Sequence, residues 1–241
     1  KDMNGDQRYR GHISLCEIDL PGQKRISEGK VLIIGAGGLG SPACLYLAAA
    51  GVGHIAVLDP DTVSLSNLQR QIMHGTPDIG RPKAVSASES MLRINPEIHV
   101  RPVIDRLTPS NARDMMEGYD LILDCTDNHA TRLLINDTCV TLGKPYVFGA
   151  VRRFEGQVFT HIPGSADYRD IFGDETREDG DIPCAIEGVL NSVVGIIGSL
   201  QATEAVKYLA GAGDLLTDRI LTMDAITMTF NTFNIEGEKE V

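Results

Sequence analysis

Gly35-Ala36-Gly37-Gly38-Leu39-Gly40 decides the fold of this 241-residue chain. It follows an apolar run, Val31-Leu32-Ile33-Ile34, and opens an alanine-rich helical pattern that closes near Gly51. Strand, glycine turn and helix start, in that order, form a phosphate cradle. Glycines let the backbone turn tightly and approach an anion closely, and the first unpaired amides of the helix point at it. Asp59 ends a second apolar run, His54-Ile55-Ala56-Val57-Leu58. A carboxylate at the tip of a second strand accepts hydrogen bonds from ribose hydroxyls, the other half of the nucleotide-binding pattern. Dinucleotide oxidoreductases and some ATP enzymes share this pattern, so it implies a nucleotide without choosing one.

Further along, strand-like runs at 31–35, 54–59, 98–103, 120–124 and 145–149 alternate with helical patterns near 39–51, 82–93, 110–117 and 129–142. Such alternation predicts an α/β fold with a Rossmann-like, doubly wound, mostly parallel sheet. After Gly149 the patterning changes. Segments 156–162 and 219–233 alternate with period two and predict antiparallel C-terminal strands, separated by a long helix over about 191–209. Segment 167–181 is strongly acidic with no apolar period, and reads as a mobile loop leading to Pro183-Cys184. The whole chain, 1–241, is expected to form one domain: a helical arm at 1–28, a nucleotide-binding half at 29–150, and a half at 151–241 crossed by a loop at 163–188.

Thirty-three acidic against 22 basic residues give a formal net charge of −11, which argues against a nucleic-acid or anionic-membrane partner. Cys16, Cys44, Cys125, Cys139 and Cys184 form no C-x-x-C pair. With no basic-then-apolar leader at Lys1, they suggest reduced thiols and a cytoplasmic location. No apolar run reaches the ~20 residues needed to span a bilayer, and Gly195 and Gly198 interrupt the strongest one.

The residues after Asp59 favour ATP over NAD. Asp61-Thr62-Val63-Ser64-Leu65-Ser66-Asn67-Leu68-Gln69-Arg70-Gln71 and Gly80-Arg81-Pro82-Lys83 crowd polar groups beside the nucleotide. Arg70, a planar fork, and Lys83, a point charge, suit a triphosphate, and Asn67 can hydrogen-bond phosphate oxygens. Asp124-Cys125-Thr126-Asp127-Asn128 ends the fourth strand, where ligands of open parallel sheets bind. Asp127 can carry Mg²⁺ there or cap the following helix, while Asp124 more readily closes the strand.

Together GAGGLG, DPDTVSLSNLQRQ, RPK, DCTDN, Gly149-Ala150 with Phe154-Glu155-Gly156-Gln157, and Gly198-Ser199-Leu200-Gln201-Ala202-Thr203-Glu204-Ala205 resemble the MoeB/ThiF/HesA family, bacterial relatives of the ubiquitin-activating enzymes. The resemblance implies that Mg-ATP adenylates the C-terminal glycine of a ubiquitin-fold sulfur carrier through its Gly-Gly tail, in a homodimer. It implies that Gly35, Gly37, Gly38, Gly40 and Gln71 line the nucleotide and Asp59 takes the ribose. Asn67, Arg70 and Lys83 would bind phosphates, with Asp127 on Mg²⁺ beside Asn128. A nucleotide-binding module without turnover, a relative of the tRNA-activating dehydratases and an NAD oxidoreductase are the alternatives.

Three departures stand out. The C-x-x-C pairs that hold zinc in many members are absent at 167–173 and 237–241, so no zinc is expected. Gly11 stands where a family arginine reaches the partner subunit's ATP, leaving Arg10 as the substitute one residue away. Cys184 precedes Gly188 by four residues, like the family's acceptor cysteine, but through Ala185-Ile186-Glu187. A thiol near a helix N-terminus gains nucleophilicity, and a spectator thiol is the other reading.

Overall fold

The computed structural model describes residues 7–173 and 188–235. Eight strands form one sheet in the order β3-β2-β1-β4-β5-β6-β7-β8. They are β1 (Lys30–Ile34), β2 (His54–Leu58), β3 (His99–Val103), β4 (Leu121–Asp124), β5 (Tyr146–Arg152), β6 (Glu155–His161), β7 (Arg219–Asp224) and β8 (Thr229–Asn234). The first five run parallel and the last three pairings are antiparallel, as the change of patterning after Gly149 predicts.

Period two sorts each parallel strand between two apolar layers. Val31 and Ile33 of β1 pack on one face with Ile26, Leu47, Met91 and Ile197. Leu32 and Ile34 pack on the other with Met116, Ile135, Phe148 and Tyr168. The first layer is built from helices α2 (Asp19–Glu28), α3 (Gly40–Ala50), α4 (Lys83–Ile94) and α8 (Asn191–Ala210), the second from α5 (Ala112–Met116), α6 (His129–Leu142) and α7 (Tyr168–Phe172). A strand covered on both faces reads as a continuous apolar run, which is why β1, β2 and β4 are visible in the sequence.

The short helix α1 (Arg10–Ile13) lies in an arm held at the far end of this sandwich. The Asn95 amide donates to the Tyr9 hydroxyl at 2.8 Å beyond the C-terminus of α4, and Arg8 donates to the carbonyl of Ile94 at 3.1 Å. Along α8, Gln201 donates to the carbonyls of Asp124 (2.7 Å) and Val147 (3.3 Å), tying the helix under the β4 and β5 ends. Buried Glu204 accepts from Thr160 Oγ1 (2.6 Å), Leu216 N (2.7 Å) and Lys207 Nζ (2.6 Å). Gln201 and Glu204, in the Gly198–Ala205 motif midway along the long helix, therefore fasten that helix to the sheet.

One expectation needs correction. Residues 168–172 are helical rather than a loop, because Asp167 caps α7 by accepting from the amides of Arg169 (2.8 Å) and Asp170 (3.2 Å). Arg169 makes a two-pronged bond to Asp137 at 2.7 Å on each prong, and Tyr168 is buried against Phe148. Residues 174–181 of that acidic stretch, like Cys184 and residues 237–241, lie outside the described residues. Among the described residues no helix is long and apolar enough to cross a membrane.

Candidate nucleotide site

The order of strands reverses between β1 and β4, and a cleft of about 250 Å³ opens there, beyond the carboxyl ends of the strands. Gly35, Gly37, Gly38 and Leu39 floor it. Asp59, Asp61, Arg70, Gln71 and Lys83 form one wall, and Asp127, Asn128, Thr131 and Arg132 form the other.

Glycine is required in the loop for different reasons at different positions. Gly35 has φ +104°, and a Cβ there would stand 2.6 Å from the Cys125 carbonyl oxygen. A Cβ on Gly40 would run into the backbone of Gly35, and one on Gly38 into Val194 of α8. Gly37 is unlike these: its nearest neighbour to an added Cβ is Gln71 Nε2 at 3.6 Å, an ordinary contact. Nothing in the protein's own packing demands glycine at 37. Among the described residues no acceptor takes the N–H groups of Gly37 and Gly38, and unpaired amides at a helix start are an anion site.

Buried Asp59 faces the loop. One carboxylate oxygen accepts from Ala36 N at 2.7 Å and the other from Asp61 N at 2.8 Å. Burial pushes its pKa up, against the opposing pull of Lys83 and those amides. Lys83, at the first residue of α4, lies buried with Nζ 3.0 Å from Asp61 Oδ2. Arg70 reaches the cleft with one guanidinium nitrogen 3.3 Å from the Ser66 carbonyl. Buried Gln71 has an Oε1 without a hydrogen-bond partner among the described residues.

Asp127 is exposed in the cleft, and among the described residues its carboxylate has no ion-pair partner. The helix-capping alternative for it falls to its neighbour: Asn128 Oδ1 accepts from Thr131 N at 2.9 Å and starts α6. Asp124 closes its strand as expected, accepting from Thr126 N (3.0 Å) and Thr126 Oγ1 (2.6 Å), with its pKa raised by burial. Cys44, Cys125 and Cys139 are buried packing residues, and burial pushes the pKa of each up.

Three expected ligands stand elsewhere: Gly40, packed on the Gly35 backbone and outside the cleft lining, Asn67 and Arg10. Asn67 does not line the cleft; its Oδ1 accepts from Ser64 N at 3.1 Å, and its carbonyl accepts from Arg70 N (3.1 Å) and Gln71 N (2.9 Å). Asn67 thus folds the turn that presents Arg70 and Gln71. Arg10 is exposed in the arm at the opposite end of the sandwich from this chain's own cleft.

The sequence reading missed Arg132. Its guanidinium lies 5.4 Å from the centre of the Phe148 ring and donates to the Thr126 carbonyl at 3.0 Å, while its buried Nε has no partner among the described residues. A signal existed: a residue in the first turn of a helix points back toward its N-terminus, and here that terminus opens on the cleft. Asp105, Arg106 and Leu107, after β3, complete the lining and carry no motif.

Comparison with known proteins identifies the family and the fold. The profile described as the ThiF family matches residues 9–241. The chain is 48% identical over 237 residues to the "Probable adenylyltransferase/sulfurtransferase MoeZ" of Mycobacterium tuberculosis, covering 96% of this chain and 60% of that protein. It is 46% identical over 226 residues to the "SAMP-activating enzyme E1" of Haloferax volcanii, covering 93% of this chain and 83% of that protein. Among solved structures, E. coli MccB crystallised with ATP superimposes with a TM-score of 0.80 at 21% identity, over 92% of this chain and 68% of that one, which is a likeness of fold. With its family profile matched almost from end to end and a relative at nearly half identity, this chain belongs to the ThiF family.

Proposed function

We propose that this chain is an adenylyltransferase that uses Mg-ATP to activate the C-terminal glycine of a ubiquitin-fold sulfur carrier, releasing pyrophosphate. The observation that carries the reading is the convergence of Arg70, Lys83, Arg132 and Asp127 on the free amides of Gly37 and Gly38 in one cleft. Names of relatives point the same way: MoeZ is called an adenylyltransferase/sulfurtransferase, and a protein of Porphyra purpurea 44% identical to this chain a probable molybdopterin-synthase adenylyltransferase.

In this reading the triphosphate lies on the glycine loop, with Arg70 and Lys83 on its oxygens and Asp59 toward the ribose. The carrier's terminal carboxylate attacks the α-phosphorus and pyrophosphate leaves. The attacking group is already ionised, so no general base is needed. Catalysis reduces to alignment and to cations placed where phosphate charge grows. Asp127 fits a magnesium ligand: a hard, unpartnered carboxylate beside the phosphate site. Bound there, Mg²⁺ supplies further neutralisation of the phosphate oxygens.

The carrier docks on the antiparallel half, where β8 is exposed along its length and Ile226, Met228, Phe230 and Phe233 present apolar side chains to solvent. Arg10, remote from its own cleft, serves the cleft of a second copy in a homodimer. Cys184 acts after adenylation, as acceptor of the activated carrier. The direct test incubates the protein with Mg-ATP and candidate carriers and reads intact carrier mass. A carrier gaining one adenylate, and none after deletion of its terminal glycine, is expected; nucleotide binding without adenylate on any carrier would favour a binding module.

A further inference from the structure

Ala36, in the glycine loop, is held by side chains at both its N–H and its carbonyl. Ala36 is fully buried; its N–H donates to Asp59 Oδ2 at 2.7 Å, and its carbonyl oxygen lies 2.9 Å from Nε2 of His74. A carbonyl oxygen can only accept, so His74 Nε2 carries the hydrogen. The other ring nitrogen lies 2.8 Å from Ser86 Oγ, and in the neutral ring it accepts the hydroxyl proton. Ser86 stands three residues after Lys83 on the same helix, α4. His74 is buried and absent from the cleft lining, so it reaches a ligand only through the loop.

The bond matters because of what else the Ala36 oxygen can accept. It is the oxygen that the Gly40 amide would take if α3 began one residue earlier. Among the described residues no backbone amide takes it; the helix starts instead from the Gly37 oxygen, which accepts from Ser41 N (2.9 Å) and Ser41 Oγ (2.7 Å). The Ala36 carbonyl shares one planar peptide group with the Gly37 N–H, so by occupying that oxygen His74 keeps it from the Gly40 amide and fixes the direction in which the unpaired Gly37 N–H points.

We propose that His74 is a positioning residue: its Nε2–H bond sets the glycine loop in its anion-binding form and couples that loop, through Ser86, to the helix that carries Lys83. The proposal deepens the nucleotide reading and rests on it for its consequence, but not for its geometry.

Two substitutions separate the ring nitrogens. The amide nitrogen of His74→Gln reaches the position of Nε2 and keeps a donor to Ala36, whereas that of His74→Asn reaches the position of Nδ1 and keeps only the Ser86 side. Three quantities are measured on each full-length variant and on Ser86→Ala: thermal midpoint, Mg-ATP dissociation constant, and hydrogen exchange of the 35–40 peptide without ligand. In His74→Asn, Mg-ATP binding is expected to weaken and loop exchange to accelerate by about ten-fold, the size of one lost hydrogen bond. His74→Gln and Ser86→Ala should stay within about three-fold of wild type in both, even where their thermal midpoints fall as far. Equal behaviour of the Asn and Gln variants, or effects that merely follow the thermal midpoint, would overturn the proposal and leave His74 a satisfied core histidine. Wild-type protein that binds no Mg-ATP would remove the nucleotide reading, while the exchange rates would still decide the role of His74 in the loop.

Discussion

Gly37→Ala and Gly35→Ala put the same methyl group two residues apart and are expected to do opposite things. At Gly35 the added carbon lies 2.6 Å from the Cys125 carbonyl oxygen and the backbone has φ +104°. A left-handed backbone costs an L-residue roughly 1–2 kcal/mol, and the close contact adds a displacement of the β4 end. A total near 2 kcal/mol lowers the thermal midpoint of a chain this size by about 4–8 °C. At Gly37 the nearest atom is 3.6 Å away and φ is not positive, so stability is expected to change by under about 1 kcal/mol. The Gly37 methyl would instead stand between the loop amides and any phosphate resting on them. Losing one amide-to-phosphate bond weakens binding roughly ten- to hundred-fold. Scanning calorimetry gives the two stabilities, and titration calorimetry with a non-hydrolysable ATP analogue gives the affinities. Gly37→Ala protein with wild-type affinity would refute the claim that this loop carries the phosphates.

Other outcomes follow from the same geometry. Asp127→Ala should abolish adenylate formation with an unchanged thermal midpoint, since its carboxylate has no partner among the described residues. Asn128→Ala should instead cost about 1 kcal/mol of stability, measured by denaturant unfolding, through loss of the α6 cap. Lys83→Met is expected to lower kcat for adenylation by about 10²–10³-fold, as loss of a preorganised charge does, and a single-turnover assay reads this directly. Burial lowers the His74 pKa from 6.5, with Asp78 and Asp59 opposing and Lys83 assisting. Below pH 6.5 the unfolded chain therefore binds more protons at this residue, and its stability contribution, complete above 6.5, is lost as pH falls through the lower folded value. The stability difference between wild type and His74→Gln should shrink across that window, by up to about 1.4 kcal/mol per pH unit. Taking the difference removes Asp59 and Asp124, whose raised pKa values slope the other way. A flat difference would contradict the neutral, buried ring.

The parallel core was legible because strands buried on both faces must be apolar throughout, and Gly51 and Gly143, both at positive φ, mark the ends of α3 and α6. The glycine loop, Asp59, Arg70 and Lys83 were legible as chemistry and do meet in one cleft. What failed to show is what long-range contacts decide. Segment 168–172 has no apolar period, yet the Arg169–Asp137 pair and the packing of Tyr168 and Phe172 on Phe148 make it helical. Asn67 and Asn128 carry side chains suited to a ligand, and the local backbone claims an oxygen of each. Arg132 and His74 each depend on a partner far along the chain, Phe148 and Ala36, so neither spells a motif.

Adenylation of a carrier is reversible, so exchange of labelled pyrophosphate into ATP reads it without any later step. Exchange is expected with one ubiquitin-fold carrier, none without it, and none once the carrier's C-terminal glycine is removed. Exchange indifferent to the carrier's tail, or absent with every carrier while Mg-ATP still binds, would contradict carrier adenylation.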